Sequence, residues 1–194
     1  KAMDKVASVT GRQYHTVEYT GAPDADRVIV IMASGADVAA ETSAYLNSLD
    51  GGYKTGVVKI HLYRPFPAGD FVKAIPDTVK TIAVLDRTKE PGAQHEPLCL
   101  DVISALHGHR PDIKVVGGRY GLSSKEFSPA MVKAVYDHIA DPDCRDTFTV
   151  GIEDDVTHLS LAVGAPFDPD THHDTHQAIF YGIGNDGSVG GTRQ

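Results

Sequence analysis

The sequence of 194 residues has no tryptophan and only two cysteines, Cys99 and Cys144. These two stand far apart, with no CxxC spacing. A secreted disulfide scaffold carries more thiols than this. An iron–sulfur cluster takes four thiolates, so this stretch supplies too few to hold one alone. Two reduced, buried cysteines are the plain reading. Long apolar runs are missing too. The densest, Val28–Ala33, is strand-length, far below the ~18 to 20 residues that cross a bilayer. Lys1–Thr10 lacks the charged-then-apolar build of a secretion signal. Positive charge is also scarce: Lys and Arg total 18 against 26 Asp and Glu, for a net charge of −8 and a pI near 5.6. That balance argues against nucleic acid and against an anionic membrane surface as partners. The expectation is a cytoplasmic protein.

What is present suits one substantial core: 41% of residues are hydrophobic and 23% charged. Arg27–Met32 (RVIVIM) is a continuous β-branched run, the pattern of a strand buried on both faces. Asp37–Leu49 has helical spacing and stops at Gly51–Gly52. Lys54–His61 reads as a second strand, followed by Pro65 and Pro67, which break pairing. A short helix over Asp70–Ile75 closes at Pro76, and Thr81–Leu85 is a third strand. Leu98–His107 is a helix, Ile113–Gly117 a fourth strand, and Ser128–Ala140 a closing helix. This alternation predicts an α/β fold with a doubly wound, mainly parallel sheet. Ligands of such sheets gather beyond the carboxyl ends of the strands. Ser34–Gly35, Asp86–Gly92 and Gly117–Ser124 fall there. Thr147–Leu161 reads as an extended C-terminal arm, and Asp168–His176 as a polar connector. Ala178–Ile183 begins a new strand.

The sharpest chemical signal is the glycine run around Gly182, Gly184, Gly187 and Gly190–Gly191, directly after that strand. Glycines there permit a tight turn and let backbone amides approach a phosphate at a helix start. A lone GxGxxG has low specificity, and a turn needed only for strand–helix packing explains it as well. His172, His173 and His176 lie among Asp168, Asp170 and Asp174. They suggest a metal only if a helix aligns His172 with His176 and a third fixed ligand exists; on a polar connector, adventitious capture is the simpler reading. His107 and His109 read as the frayed end of a helix. The charged Asp86–Gly92 loop is either a docking or anion-contacting loop or a solvated turn, with the turn favoured. Ser34, Ser123 and Ser128 lack the G-x-S-x-G frame, so no nucleophile–base pair stands at motif spacing.

Longer stretches go beyond such generic patterns: Thr20–Val28 (TGAPDADRV), Leu62–Phe66 (LYRPF), Ile82–Gly92 (IAVLDRTKEPG), Val115–Lys133, Thr149–Leu159 (TVGIEDDVTHL) and Ile179–Gly190. Together, from about Tyr14 onward, the chain resembles the single-chain pyruvate:ferredoxin (flavodoxin) oxidoreductases. The one departure is Gly191-Thr192-Arg193-Gln194, where that family more usually shows Ala-Asn-Lys-Asn. The resemblance implies an enzyme that converts pyruvate and coenzyme A to acetyl-CoA and carbon dioxide, reducing ferredoxin or flavodoxin. It implies thiamine diphosphate with magnesium, [4Fe–4S] clusters and a homodimer for the parent, but no cofactor of this segment's own. It makes 20–140 a domain like the transketolase carboxyl-terminal domain, with 1–19 a lead-in and 141–177 a linker or arm. Residues 178–194 then start the next domain, which handles coenzyme A in the family. Within it, Gly182, Gly184 and Gly187 become a candidate coenzyme A or phosphate loop.

The expectation is therefore an excised, non-catalytic scaffolding segment whose partners are the remaining domains of the parent chain. Two readings compete: a stand-alone interaction module organising partner subunits, and a small nucleotide-binding protein using Gly182–Gly191. The strand–turn at Phe180–Gln194, which stops before its helix, favours the first reading.

Overall fold

The computed structural model describes residues 2–123, 125–153, 156–170, 178–179 and 181. Its centre is a six-stranded sheet ordered β1-β3-β2-β4-β5-β6. The strands are β1 (Val17–Gly21), β2 (Arg27–Met32), β3 (Thr55–Ile60), β4 (Thr81–Asp86), β5 (Lys114–Tyr120) and β6 (Thr147–Val150). All neighbours run parallel except β1, which pairs antiparallel with β3, Tyr19 opposite Val58. The four strands expected from sequence are thus the parallel centre. The structure adds β1 at one edge and, at the other, β6, which occupies the start of the expected arm. Both are short, and neither has the long apolar run that marks a two-face-buried strand.

Period-two alternation decides what each strand feeds. Val28, Val30, Ile82 and Val84 point to one core, with Phe71, Leu98 and Val102. Ile29, Ile31, Ala83 and Leu85 point to the other, with Ala39, Leu46, Val132 and Val135. Helices α3 (Ala68–Ala74) and α4 (Pro97–Leu106) cover the first face; α2 (Gly35–Ser48) and α5 (Pro129–His138) cover the second. Parallel strands need helical crossovers, and crossovers on both faces make the sheet doubly wound. An N-terminal helix α1 (Ala2–Thr10) lies outside this sandwich, with no residue buried.

At the amino end of the sheet a polar cluster stitches the helices to β3. The Asn47 side chain receives the Thr55 amide and donates back to the Thr55 carbonyl, both at 2.9 Å. Ser43 and Thr55 hydroxyls meet at 2.9 Å, and the Tyr136 hydroxyl donates to the Gly56 carbonyl at 2.9 Å. Every one of these buried polar groups is partnered, as burial requires.

Residues 156–170 run back over the α2/α5 face. The Leu161 amide donates to Thr149 at 2.8 Å, and Phe167 stacks on Tyr45 with ring centroids 5.2 Å apart.

Candidate functional site

The sheet's topology reverses between β2 and β4: from β2 the chain moves outward to β3, and from β4 to β5 on the other side. The crevice beyond the carboxyl ends of these strands is where a doubly wound sheet offers room for a ligand. The residues that arrive there are Ala33–Gly35 after β2, Asp86–Glu96 after β4, and Gly121–Ser123 after β5.

Asp86, the last residue of β4, turns inward and is 2% exposed. Its two carboxylate oxygens accept the Leu98 amide at 3.0 Å and the Cys99 amide at 3.1 Å. It therefore caps α4 from across the fold, because Glu96, the residue at the N-cap position, makes no capping bond. Burial pushes the Asp86 carboxyl above the ordinary carboxylate range, outweighing the downward pull of the two amides.

Glu96, freed from capping, is also buried and holds the loop that precedes it. Its Oε2 accepts the Glu90 amide at 2.5 Å, while Oε1 meets Arg119 Nη1 at 3.1 Å and Lys89 Nζ at 3.5 Å. Residues 87–92 are exposed, as in the solvated turn their composition suggested, and the loop of 87–96 is strapped down at its far end by the buried Glu96. The two buried acids that flank this loop have roles composition conceals: Asp86 caps α4, and Glu96 anchors the loop. The local signal was Glu96-Pro97, since proline at the first helical position marks a helix start in need of a cap.

Below the strap, Gly117 lets α4 come close to β5. A methyl group built there would sit 2.9 Å from His95 Nδ1 and 3.2 Å from Cys99 Sγ. His95 Nδ1 is buried and has no hydrogen-bond partner. Burial, and then the neighbouring Asp86 and Glu96, push the Cys99 thiol up to about 12. A thiol so held stays protonated and is a poor nucleophile. Cys144 belongs to the other core, across the sheet, so the two sulfurs cannot share a metal.

Of the residues singled out from sequence, Gly182, Gly184 and Gly187 lie outside the described residues, as do His172, His173, Asp174 and His176. Asp168 and Asp170 are described, and the Asp170 amide donates to Asp168 at 3.0 Å. His107 is the C-cap residue of α4, its amide bonded to Ile103. Among the described residues no group of three His, Cys, Asp or Glu could hold a metal ion. Nor is any described helix long and apolar enough to cross a membrane.

A Rossmann-like domain of the doubly wound class, with the buried acids Asp86 and Glu96 at its strand ends committed to capping and loop anchoring, is what this geometry defines. The chain belongs to the pyruvate:ferredoxin oxidoreductase core domain II family, whose model matches residues 25–132. Over 201 residues it is 52% identical to a pyruvate-flavodoxin oxidoreductase of Trichormus variabilis, covering 100% of this chain and 16% of that protein. Over 193 residues it is 51% identical to the pyruvate:ferredoxin oxidoreductase of Moorella thermoacetica, again covering 100% and 16%. A probable pyruvate-flavodoxin oxidoreductase of Escherichia coli is 48% identical over 199 residues, covering 100% and 17%. The chain thus spans about one sixth of the length of these three relatives.

Proposed function

We propose that this chain is a scaffolding segment of a pyruvate:ferredoxin or pyruvate:flavodoxin oxidoreductase, contributing architecture and no reacting group. The observation that carries the reading is 52% identity along the whole chain to a protein of which it makes up 16%. The parent reaction is oxidative cleavage of pyruvate with coenzyme A, passing electrons to ferredoxin or flavodoxin in a cytoplasmic homodimer. Thiamine diphosphate would stabilise the carbanion there, and iron–sulfur clusters would carry single electrons. The described residues do not fit an iron–sulfur cluster or a magnesium ion. Cys99 and Cys144 sit on opposite faces of the sheet, and no described cluster of carboxylates offers magnesium a site. In this reading other parts of the parent would hold those cofactors.

The division would be a domain over 20–140, an arm over 141–177 whose Thr147–Val150 adds the edge strand β6 to that domain's sheet, and the start of a coenzyme A-associated domain over 178–194. Gly182, Gly184 and Gly187 are its candidate phosphate contacts. Leu100 and Ile103 on the outer face of α4 are 44% and 37% exposed, an apolar face suited to burial against the rest of the parent.

The test is an assay of the purified chain with pyruvate, coenzyme A and a low-potential dye. No dye reduction and no iron–sulfur absorbance are expected. Pyruvate-dependent reduction by the chain alone would overturn the reading.

A further inference from the structure

At the switch point, on the α2/α5 side, a second set of groups converges that neither the capping of α4 nor the strap employs. Helix α2 begins there at Gly35, and its cap residue Ser34 makes no side-chain hydrogen bond to it. The Ala33 carbonyl takes up the Ala36 amide at 3.0 Å. The other amides of the first turn, including those of Gly35 and Asp37, receive no side-chain cap. A helix start in this state offers N–H donors and the positive end of the helix dipole.

Tyr120 reaches the same place from β5. It is 3% exposed, its ring packs on Phe127 at 4.5 Å, and its hydroxyl makes no hydrogen bond among the described residues. That hydroxyl lies against Gly35: a methyl group built on Gly35 would stand 2.7 Å from the Tyr120 oxygen. The Tyr120 oxygen keeps contact with solvent at this uncapped helix start, so it is free to donate to an acceptor that enters there.

The third donor is Arg87, just beyond β4. Its Nε donates to the Gly121 carbonyl at 2.7 Å, next to Tyr120 in sequence, and its Nη groups make no described hydrogen bond. The one acid of the first turn, Asp37, is drawn aside by Lys59 at 2.9 Å.

We propose that the first turn of α2, the Tyr120 hydroxyl and the Arg87 guanidinium form a binding site for a phosphoryl group. Amide, phenol and guanidinium donors arriving from three strand ends suit a tetrahedral oxyanion, which presents an oxygen to each; a planar carboxylate presents two. The site is distinct from the Gly182–Gly191 run and holds whether or not the chain is a scaffolding segment.

The experiment is an amide-resolved NMR titration of the chain with inorganic phosphate, glycerol phosphate and acetate. Saturable shifts confined to the Gly35 and Asp37 amides and the neighbours of Tyr120 are expected, with affinity of about millimolar. Tyr120→Phe keeps the ring against Phe127 and should weaken binding about tenfold, the loss of one hydrogen bond to a charged group. Arg87→Gln, at an exposed position, should weaken it similarly and serves if Tyr120→Phe fails to fold. Tighter binding of glycerol phosphate than of phosphate assigns the site to a phosphate ester, and the reverse order assigns it to the free anion. Acetate binding as tightly as phosphate would overturn the phosphoryl assignment. Shifts spread over surface lysines, no saturation, or affinity unchanged in both variants would overturn the site itself.

Discussion

Asp86 and Glu96 are acids that the fold has taken out of water, and each serves a different backbone. Removing the Asp86 carboxylate leaves two buried amides, of Leu98 and Cys99, without an acceptor. Asp86→Ala should therefore cost about 2 to 3 kcal/mol in a urea titration, the joint cost of a lost cap and an unsatisfied donor. The charge has a pH signature as well. Because the folded protein raises this carboxyl above 3.8, it holds the proton more tightly than the unfolded chain does. That contribution is full below 3.8 and is lost as pH rises through the raised value. The stability advantage over Asp86→Asn should then be larger near about pH 4 than at about pH 7, checked by paired denaturant curves. His138 works with the opposite slope. Burial lowers it below 6.5, against the pull of its bond to the Arg145 carbonyl. The unfolded chain takes up that proton more readily, so stability present above 6.5 is lost as pH falls towards the lowered folded value. His138→Gln should flatten this part of the melting-temperature profile. An unchanged profile would assign the acid sensitivity elsewhere.

Elements read from sequence fared according to how much of their fate was local. β2 and β4 were legible because a run buried on both faces needs no partner to be recognised: RVIVIM and TIAVL can do little else. α2, α4 and α5 were legible within two residues of their bounds from their apolar spacing, while Pro97 and Pro129, which open α4 and α5, were not used as helix starts. β6 was read as the start of an arm because what makes it a strand is across the sheet. Phe148 fits over Gly118, where an added methyl would lie 2.4 Å from the ring tip and 2.7 Å from Leu85 Cδ2. A glycine in a strand shows in the sequence, but the ring that needs its missing side chain does not. Gly118→Val should overpack this contact by about 1 to 3 kcal/mol. Hydrogen exchange should show the β6 amides losing protection before those of β2 and β4. Uniform loss would mean that β6 is not separable. The candidate site was partly hidden for the same reason. Its three segments were expected at the strand ends, since Ser34–Gly35, Asp86–Gly92 and Gly117–Ser124 follow β2, β4 and β5, but strand order alone decides that the side chains of Tyr120 and Arg87 meet at Gly35.

At the scale of the whole molecule, the two ends of the described chain differ in what they give the core. α1 buries none of its residues, and Val9 is 85% exposed. Val6, at 44%, is exposed as well, so α1 adds no buried residue to the core. The stretch of 156–170 is different. The Thr149 amide donates to Leu159 at 3.0 Å, the Leu161 amide returns to Thr149 at 2.8 Å, and the Ser160 and Thr149 hydroxyls meet at 3.0 Å. Those bonds cover the outer edge of β6, while Leu161 and Phe167 close over α5 and Tyr45. An edge strand stripped of such cover offers unpaired backbone to other chains. Deleting residues 1–12 should thus change stability by about 0.5 kcal/mol or less, the usual range for surface changes. Ending the chain at Val150 should cost more, about 1 to 3 kcal/mol for the lost edge bonds and ring contact. It should also produce concentration-dependent association, visible by light scattering. Equal losses from the two truncations would contradict this division. A larger loss from the first would show that α1 is part of the core its exposure denies.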